Sequence, residues 1–358
     1  MVTLEQIQSS NGRIASELPS GLVAVFVGAT AGIGETTLKQ FAQYAAQPRI
    51  YFVGRSREAG SRITSELAEI NPEGEYYFIS ADVSLLRSVD DICREIGKRE
   101  HYINLLFLTT GTLITGKDTP EDLYYPMAVI YYSRIRFIVD LLPLLQRAPA
   151  LRRVVTVYTA TKEGPVDTND FQARRLQMLA ARGHGSSMMT LALESIALEA
   201  PDVSFIHAHP GHVKTNMGKE VRPGGAPPVQ MTTIKAVLKV IGPFVNIPFE
   251  EAGERQVFFA TSARFPARPT SSSSSSSSAA SSTNTAGVPL PRDIKVARGT
   301  DGEVGSGVYS VNYDGETASA KVEALLARLR NENVVQKLWC HTEKEFVRVT
   351  GSAFIVYT

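Results

Sequence analysis

Cysteine is scarce: of 358 residues only Cys93 and Cys340 carry a thiol, far apart in the chain. Neither belongs to a C-x-x-C pair or has a histidine at metal-ligand spacing. That excludes a disulfide framework and a zinc site, and points to a reducing compartment. Charge of one sign is not in surplus either. Lys and Arg number 37 against 36 Asp and Glu, for a net charge of +1, and they are scattered along the chain. The electrostatic footprint of a nucleic-acid or anionic-membrane partner is therefore missing. No apolar run approaches the roughly 20 residues that span a bilayer. Residues 1–21 lack the basic stretch and apolar run of a secretory signal. A cytoplasmic protein with no membrane or nucleic-acid partner is expected.

What is present is enough apolar material for a core, 43% hydrophobic against 20% charged residues. Through the first 260 residues, short β-branched and apolar runs alternate with helical patterns. Residues 22–28, 50–54, 76–83, 104–111, 153–159 and 203–211 read as strands. ETTLKQFAQYAAQ and SREAGSRITSELAEI, between them, space their apolar residues as helices do. Strands without strict alternation suit a parallel sheet buried on both faces. The expected fold is α/β, a single Rossmann-like doubly wound parallel sheet.

One segment breaks that rhythm. Residues 263–293 are rich in Pro and Ser, with eight serines in a row at 271–278. Such a composition cannot offset the entropy of ordering, so a disordered surface insertion is expected. The resulting division is a dinucleotide-binding domain over 1–262, a disordered insertion over 263–305, and a last strand with a C-terminal helical tail over 306–358 that completes the same domain. GVYSVNYDG (307–315) is that strand, and KVEALLARLR and VVQKLWCHTEKEFVRVTG form the tail.

The strand at 22–28 runs into GATAGIGETTLKQF, a glycine-rich turn and a helix start. Gly28, Gly32 and Gly34, with Thr30 and Ile33 between them, form G-x-x-x-G-x-G. Glycines there permit positive φ and let the backbone approach a pyrophosphate, which sits against the N–H groups of the helix N-terminus. The second strand ends in GRSR. An Asp or Glu near this position reads a ribose 2′-hydroxyl, whereas Arg suits a 2′-phosphate. Arg55, helped by Arg57, therefore favours NADP(H) over NAD(H).

These residues resemble the short-chain dehydrogenase/reductase family over roughly residues 20–262 and the strand near 310. The family's T-G-x-x-x-G-I-G loop is similar to VGATAGIG, with Val27 in place of Thr. Its adenine-flanking D-V pair matches Asp82 and Val83, and its N-N-A-G strand end resembles Thr109, Thr110 and Gly111. Its P-G-x-V-x-T, which closes over the nicotinamide amide, is complete in Pro210, Gly211, Val213 and Thr215. MMTLALESIALEAPDVSFIHAHPG resembles a fungal subgroup found in secondary-metabolite pathways. The resemblance implies an NADP(H)-dependent oxidoreductase for a small organic carbonyl or alcohol. The same family readings leave open a non-redox enzyme (isomerase, dehydratase or cyclase) and an inactive dinucleotide-binding protein.

Ordinary members of the family carry a catalytic Tyr with a Lys four residues later on one helix face. Tyr158 and Lys162 have that spacing, but they follow the strand-like VVTV, and Gly164–Pro165 stops any helix. On a strand, residues four apart are roughly 13 Å apart, too far for one site. Between Glu163 and Val213 there is neither Tyr nor Lys. The helix that should carry the pair best matches with His184 in the Tyr place and Met188 in the Lys place. Thr159 stands in the place of the usual Ser, and Ile130 in that of a usual Asn. The catalytic expectation is thus Thr159 orienting a carbonyl and His184 giving the proton, since imidazole exchanges protons near neutrality. His209 and His212 form H-x-x-H, but a third ligand at sensible spacing is missing, so no metal is expected. The aromatic-rich stretch 124–137 reads as a packing helix, with tyrosines available to a homodimer or homotetramer. Residues 216–250 read as a substrate lid.

Overall fold

The computed structural model describes residues 1–213, 247–269, 286–355 and 357. Thr215, most of the lid stretch and the eight serines lie outside the described residues. Seven parallel strands form one sheet: β1 (Val23–Val27), β2 (Arg49–Gly54), β3 (Glu75–Ser80), β4 (Leu105–Leu108), β5 (Arg153–Val157), β6 (Ser204–Ala208) and β7 (Val308–Val311). Their spatial order is β3-β2-β1-β4-β5-β6-β7, a doubly wound sheet as expected. Each observed strand lies within a run singled out in the sequence or extends one residue before it. The strand order reverses between β1 and β4, so the loops after these two strands diverge and open a crevice at their C-terminal ends.

Residues in β1 show why the strands are continuous apolar runs. Val23, Val25 and Val27 point into one core layer and Ala24 and Phe26 into the other. Both faces are covered, so both sets of side chains must be apolar. One face carries α1 (Leu4–Asn11), the short α2 (Ile14–Glu17), α3 (Gly32–Tyr44) and, late in the chain, a helix over Phe249–Thr261. That face also carries α4 (Arg57–Ile70), through Ile63 and Leu67, while the other carries α5 (Leu86–Arg99), then a long interrupted helix. That helix begins as α6 (Tyr125–Met127), passes through a π-helical turn (Ala128–Tyr132) and continues as α7 (Ser133–Arg147). Beside it lies α8 (Met178–Glu199). The helix over Phe249–Thr261 is α9.

The C-terminal tail is two helices, α10 (Ala320–Asn331) and α11 (Val334–Thr350). They close over the α7–α8 side. Tyr131 and Tyr132, within the stretch read as a packing helix, are fully buried under α11 of their own chain. The Tyr131 hydroxyl pairs with Thr342 at 2.8 Å and that of Tyr132 with His341 at 2.6 Å. The last residues are tied down by charge. Arg136, 0% exposed, bonds Asp90 and Asp140 and donates to the carbonyls of Ser352 and Ala353.

Both flanks of the serine run are packed. Phe265, Val288, Ile294 and Ala297 are buried in the core layer under α9. Arg153, itself buried, donates to the carbonyls of Ser262 and Ala286. The stretch 263–305 is therefore anchored at both ends, by apolar side chains that its Pro- and Ser-rich composition obscures.

Candidate active site

Because every strand is parallel, the segments that follow them share one edge of the sheet. That edge gathers the loop 28–34 after β1, Arg55 after β2, Asp82 and Val83 after β3, Gly111 after β4, Thr159 after β5, and Pro210, Gly211 and Val213 after β6. The expected cofactor residues within the described chain are thus brought to one end of the molecule, around the crevice.

The loop after β1 explains its glycines. Gly28 has φ +82°, and a Cβ there would lie 2.7 Å from the backbone N of Thr110. Gly32 also has positive φ and begins α3. A Cβ on Gly34 would fall 2.5 Å from the Gly28 carbonyl and 2.5 Å from Thr109 Oγ1. Thr109 in turn donates to the carbonyls of Val27 and Gly28, stitching the end of β4 to the loop. The N-cap of α3 is Ala31, and no side chain caps the helix. Its first-turn N–H groups are left without a side-chain acceptor, the arrangement that receives a phosphate. Arg55 is exposed just past β2, its Nη1 3.5 Å from the Tyr125 hydroxyl. Asp82 accepts from the Ser84 N–H, and Val83 is buried. Gly211 has φ +76° and packs under Ile247, while Val213 bridges to Ile247.

Thr159 and His184, the two expected catalytic residues, end in different situations. The Thr159 hydroxyl is buried and has no hydrogen-bond partner among the described residues. His184 is 0% exposed on α8. Its Nδ1 accepts the Asp167 N–H and its Nε2 lies 3.2 Å from the Phe171 carbonyl, so both ring nitrogens are engaged by backbone. Burial also holds its pKa below the usual value. The expectation of His184 as proton donor is corrected by this geometry: it pins the 165–177 segment onto α8. Met188 is likewise fully buried in the core.

Tyr158 and Lys162 do not share a helix. Tyr158 leaves the end of β5, and residues 160–161 form a turn in which Thr161 has φ +63°. The side chain of Tyr158 nonetheless reaches toward α8, because residues at a strand end alternate faces. Its ring stacks on His207 at 6.3 Å, and the Arg134 guanidinium lies 5.8 Å from its centroid.

Two buried polar groups beside this place were missed in the sequence. Arg134 is 1% exposed and donates to Thr156 Oγ1 and to the Val157 and Thr110 carbonyls. Its signal was two arginines, 134 and 136, inside an otherwise apolar helix. Glu163 is the other. Its Oε1 accepts from Ser310 at 2.7 Å and Thr190 at 2.9 Å, while Thr190 also meets Nδ1 of the fully buried His207. Burial lifts the Glu163 carboxyl above its usual range, against the pull of those hydroxyls. It follows Lys162 directly and gave no signal of its own. Among the described residues no helix is long and apolar enough to cross a membrane.

Comparison with known proteins agrees with this architecture. A family model described as short chain dehydrogenase matches residues 22–158. Oxidoreductase AN1596 of Emericella nidulans is 38% identical over 346 residues, covering 96% of this chain and 97% of that protein. Short-chain dehydrogenase/reductase SAT2 of Stachybotrys chartarum is 29% identical, covering 91% and 93%. A 3-oxoacyl (acyl-carrier-protein) reductase from Agrobacterium tumefaciens, solved with NADP bound, superposes with a TM-score of 0.53 at 15% identity, over 69% of this chain and 91% of that one. At that identity the likeness is one of fold.

Proposed function

From the premise that the chain belongs to the short-chain dehydrogenase family and is an oxidoreductase of that family, we propose that it uses NADP(H) to interconvert a carbonyl and an alcohol on a small organic intermediate of secondary metabolism. The observation that carries the reading is the uncapped, glycine-cradled N-terminus of α3 at the same sheet edge as Arg55. The residues present fit a dinucleotide. First-turn N–H groups of α3 would hold its pyrophosphate, and Gly28 and Gly34 let the loop pack against Thr109 and Thr110 in the shape that presents them. Asp82 and Val83 would flank the adenine, and Pro210, Gly211, Val213 and Thr215 the nicotinamide amide. Arg55 would pair with a 2′-phosphate by charge-assisted hydrogen bonds. When bound, the dinucleotide supplies or accepts the hydride. The chain's own contribution is to hold it, to exclude water, and to orient the carbonyl through the Thr159 hydroxyl, which is buried with no partner in hydrogen-bond geometry among the described residues. The subgroup resemblance supports the metabolic setting.

Titration of NADPH and NADH against the protein and Arg55→Ala tests the cofactor. Hydrogen bonds to charged groups contribute about 1.5–3 kcal/mol, so the variant should bind NADPH roughly 10- to 150-fold more weakly and NADH almost unchanged. A wild-type protein that prefers NADH would refute the NADP(H) assignment. A second reading, non-redox chemistry in the same crevice, is favoured by His184 and Met188 occupying the places of the usual Tyr and Lys. It predicts product formation with no net change in nicotinamide absorbance.

A further inference from the structure

Two unusual features meet at the end of β5. The first is a buried cation without an anion. Arg134 is fully enclosed, and among the described residues it forms no salt bridge with any carboxylate; its donors go to carbonyl and hydroxyl oxygens instead. Taking a guanidinium out of water without a counter-ion is costly. The second is a hydroxyl pair. Among the described residues Thr159 Oγ1 is buried with no partner in hydrogen-bond geometry, and the Tyr158 hydroxyl has the Thr159 side chain beside it. Thr159 stands close enough to Tyr158 to favour a charged phenol, and Arg134 acts on it in the same sense.

A second buried arginine shows what an ordinary structural role looks like. Arg153 also has no carboxylate partner among the described residues and also lies near a tyrosine, Tyr309. There the Tyr309 hydroxyl donates to the Pro266 carbonyl at 2.7 Å, so the phenol is committed to the fold. Tyr158 is not. Its hydroxyl lies over Gly185, 3.4 Å from where a Cβ would stand, with Ile130 Cδ1 3.6 Å from the same point. It therefore sits one residue along α8 from His184, reaching that place from the strand instead of from the helix.

We infer that Tyr158 is the proton donor of this enzyme, with Thr159 sharing the substrate carbonyl and Arg134 serving as the buried cation that steadies the phenolate. This rests on the oxidoreductase reading above. In the reducing direction a bound reduced nicotinamide would supply the hydride that the carbonyl carbon gains and would be left oxidised. The C=O π pair moves to oxygen, and oxygen takes the Tyr158 proton. The phenolate, facing Arg134 and the Thr159 hydroxyl, is reprotonated from water. Burial raises the phenol pKa against the pull of Arg134, Thr159 and Arg182, so the group enters the reaction carrying its proton.

The test uses the full chain with NADPH and a panel of carbonyl probes, phenanthrenequinone and aromatic aldehydes. Tyr158→Phe keeps the ring that stacks on His207 and removes only the hydroxyl, so the variant should fold. General acid–base groups contribute typically 10²–10⁴-fold, and Tyr158→Phe should lower kcat by about that factor while NADPH affinity stays within about twofold. A readout apart from turnover comes from tyrosine labelled with ¹³C at Cζ. The signal absent in Tyr158→Phe belongs to Tyr158, and saturating NADP⁺ should shift it. Undiminished turnover by Tyr158→Phe, or a Tyr158 signal unmoved by bound NADP⁺, would overturn the assignment and leave the oxidoreductase reading intact. A wild-type protein that binds NADPH yet reduces none of the probes would instead remove the oxidoreductase reading, and this assignment with it.

Discussion

Replacing Arg136 by methionine removes a fully buried guanidinium from between two carboxylates. Arg136 Nε lies 2.6 Å from Asp90 Oδ1 and 3.0 Å from Asp140 Oδ2, with the arginine and Asp140 side chains both 0% exposed. Asp90 would keep Arg94 at 3.5 Å on the outer side. Among the described residues Asp140 would keep the Ile355 N–H and its like-charged neighbour Asp90. Breaking a buried pair costs about 3–5 kcal/mol. Here the loss is limited because Asp140 can take a proton instead of remaining an isolated charge. Burial has already lifted its carboxyl to about 7, against the pull of Arg136. The lower end, about 3 kcal/mol, is the expected cost near neutrality; an unfolding entropy of about 2.1 cal/mol/K per residue over 358 residues gives roughly 1.3 °C per kcal/mol, so Tm falls by about 4 °C. The sign of the pH dependence follows. A carboxyl whose folded pKa lies above the unfolded one favours folding below the unfolded pKa and loses that contribution as pH rises through the folded value. Without Arg136 the Asp140 carboxyl rises further, so the deficit should widen between about pH 6 and pH 8. Thermal melts followed by circular dichroism at both ends of that window measure it, and proteolysis should nick residues 351–357 first. A fall in Tm under about 2 °C, or a deficit that narrows with pH, would refute the assigned role of the cluster.

Two further outcomes are expected. Glu163→Gln keeps the shape of the acid and removes its charge. Because burial raises the Glu163 pKa, wild-type stability contributed there declines as pH rises, and each tenfold weakening of the acid is worth about 1.4 kcal/mol. The variant should match wild type in acid and melt higher in mild base; equal melting at both ends would sink the idea. Gly34→Ala puts a methyl group 2.5 Å from the Gly28 carbonyl and Thr109 Oγ1. Overpacking against backbone costs typically 1–3 kcal/mol, and the displaced loop should weaken NADPH binding more than tenfold. Calorimetric titration showing wild-type affinity would contradict the cradle.

The sheet and the glycine-rich loop after β1 were legible because their signals are local. Apolar strands buried on both faces look the same whatever lies around them, and Gly28, Gly32 and Gly34 answer to backbone contacts within one strand–turn–helix unit. Even the failure of Tyr158 and Lys162 to share a helix could be read from VVTV before them and Gly164–Pro165 after. Other features were decided by contacts between residues far apart in sequence. His184 looked available until the fold set Asp167 N–H and the Phe171 carbonyl against its two nitrogens. Tyr131 and Tyr132 were readable as packing residues, but not that α11, some 200 positions later, supplies Thr342 and His341 to their hydroxyls. Tyr158 changed in the other direction. Its strand position ruled out the helical pairing, and only the tertiary structure placed its phenol over Gly185 beside the unpaired charge of Arg134. Secondary structure and a phosphate cradle depend on neighbours in the chain, so the sequence by itself determined them. Burial and the partners of a buried polar group depend on which segments close over it, and that was settled by the packing of β5, α7, α8 and the C-terminal helices.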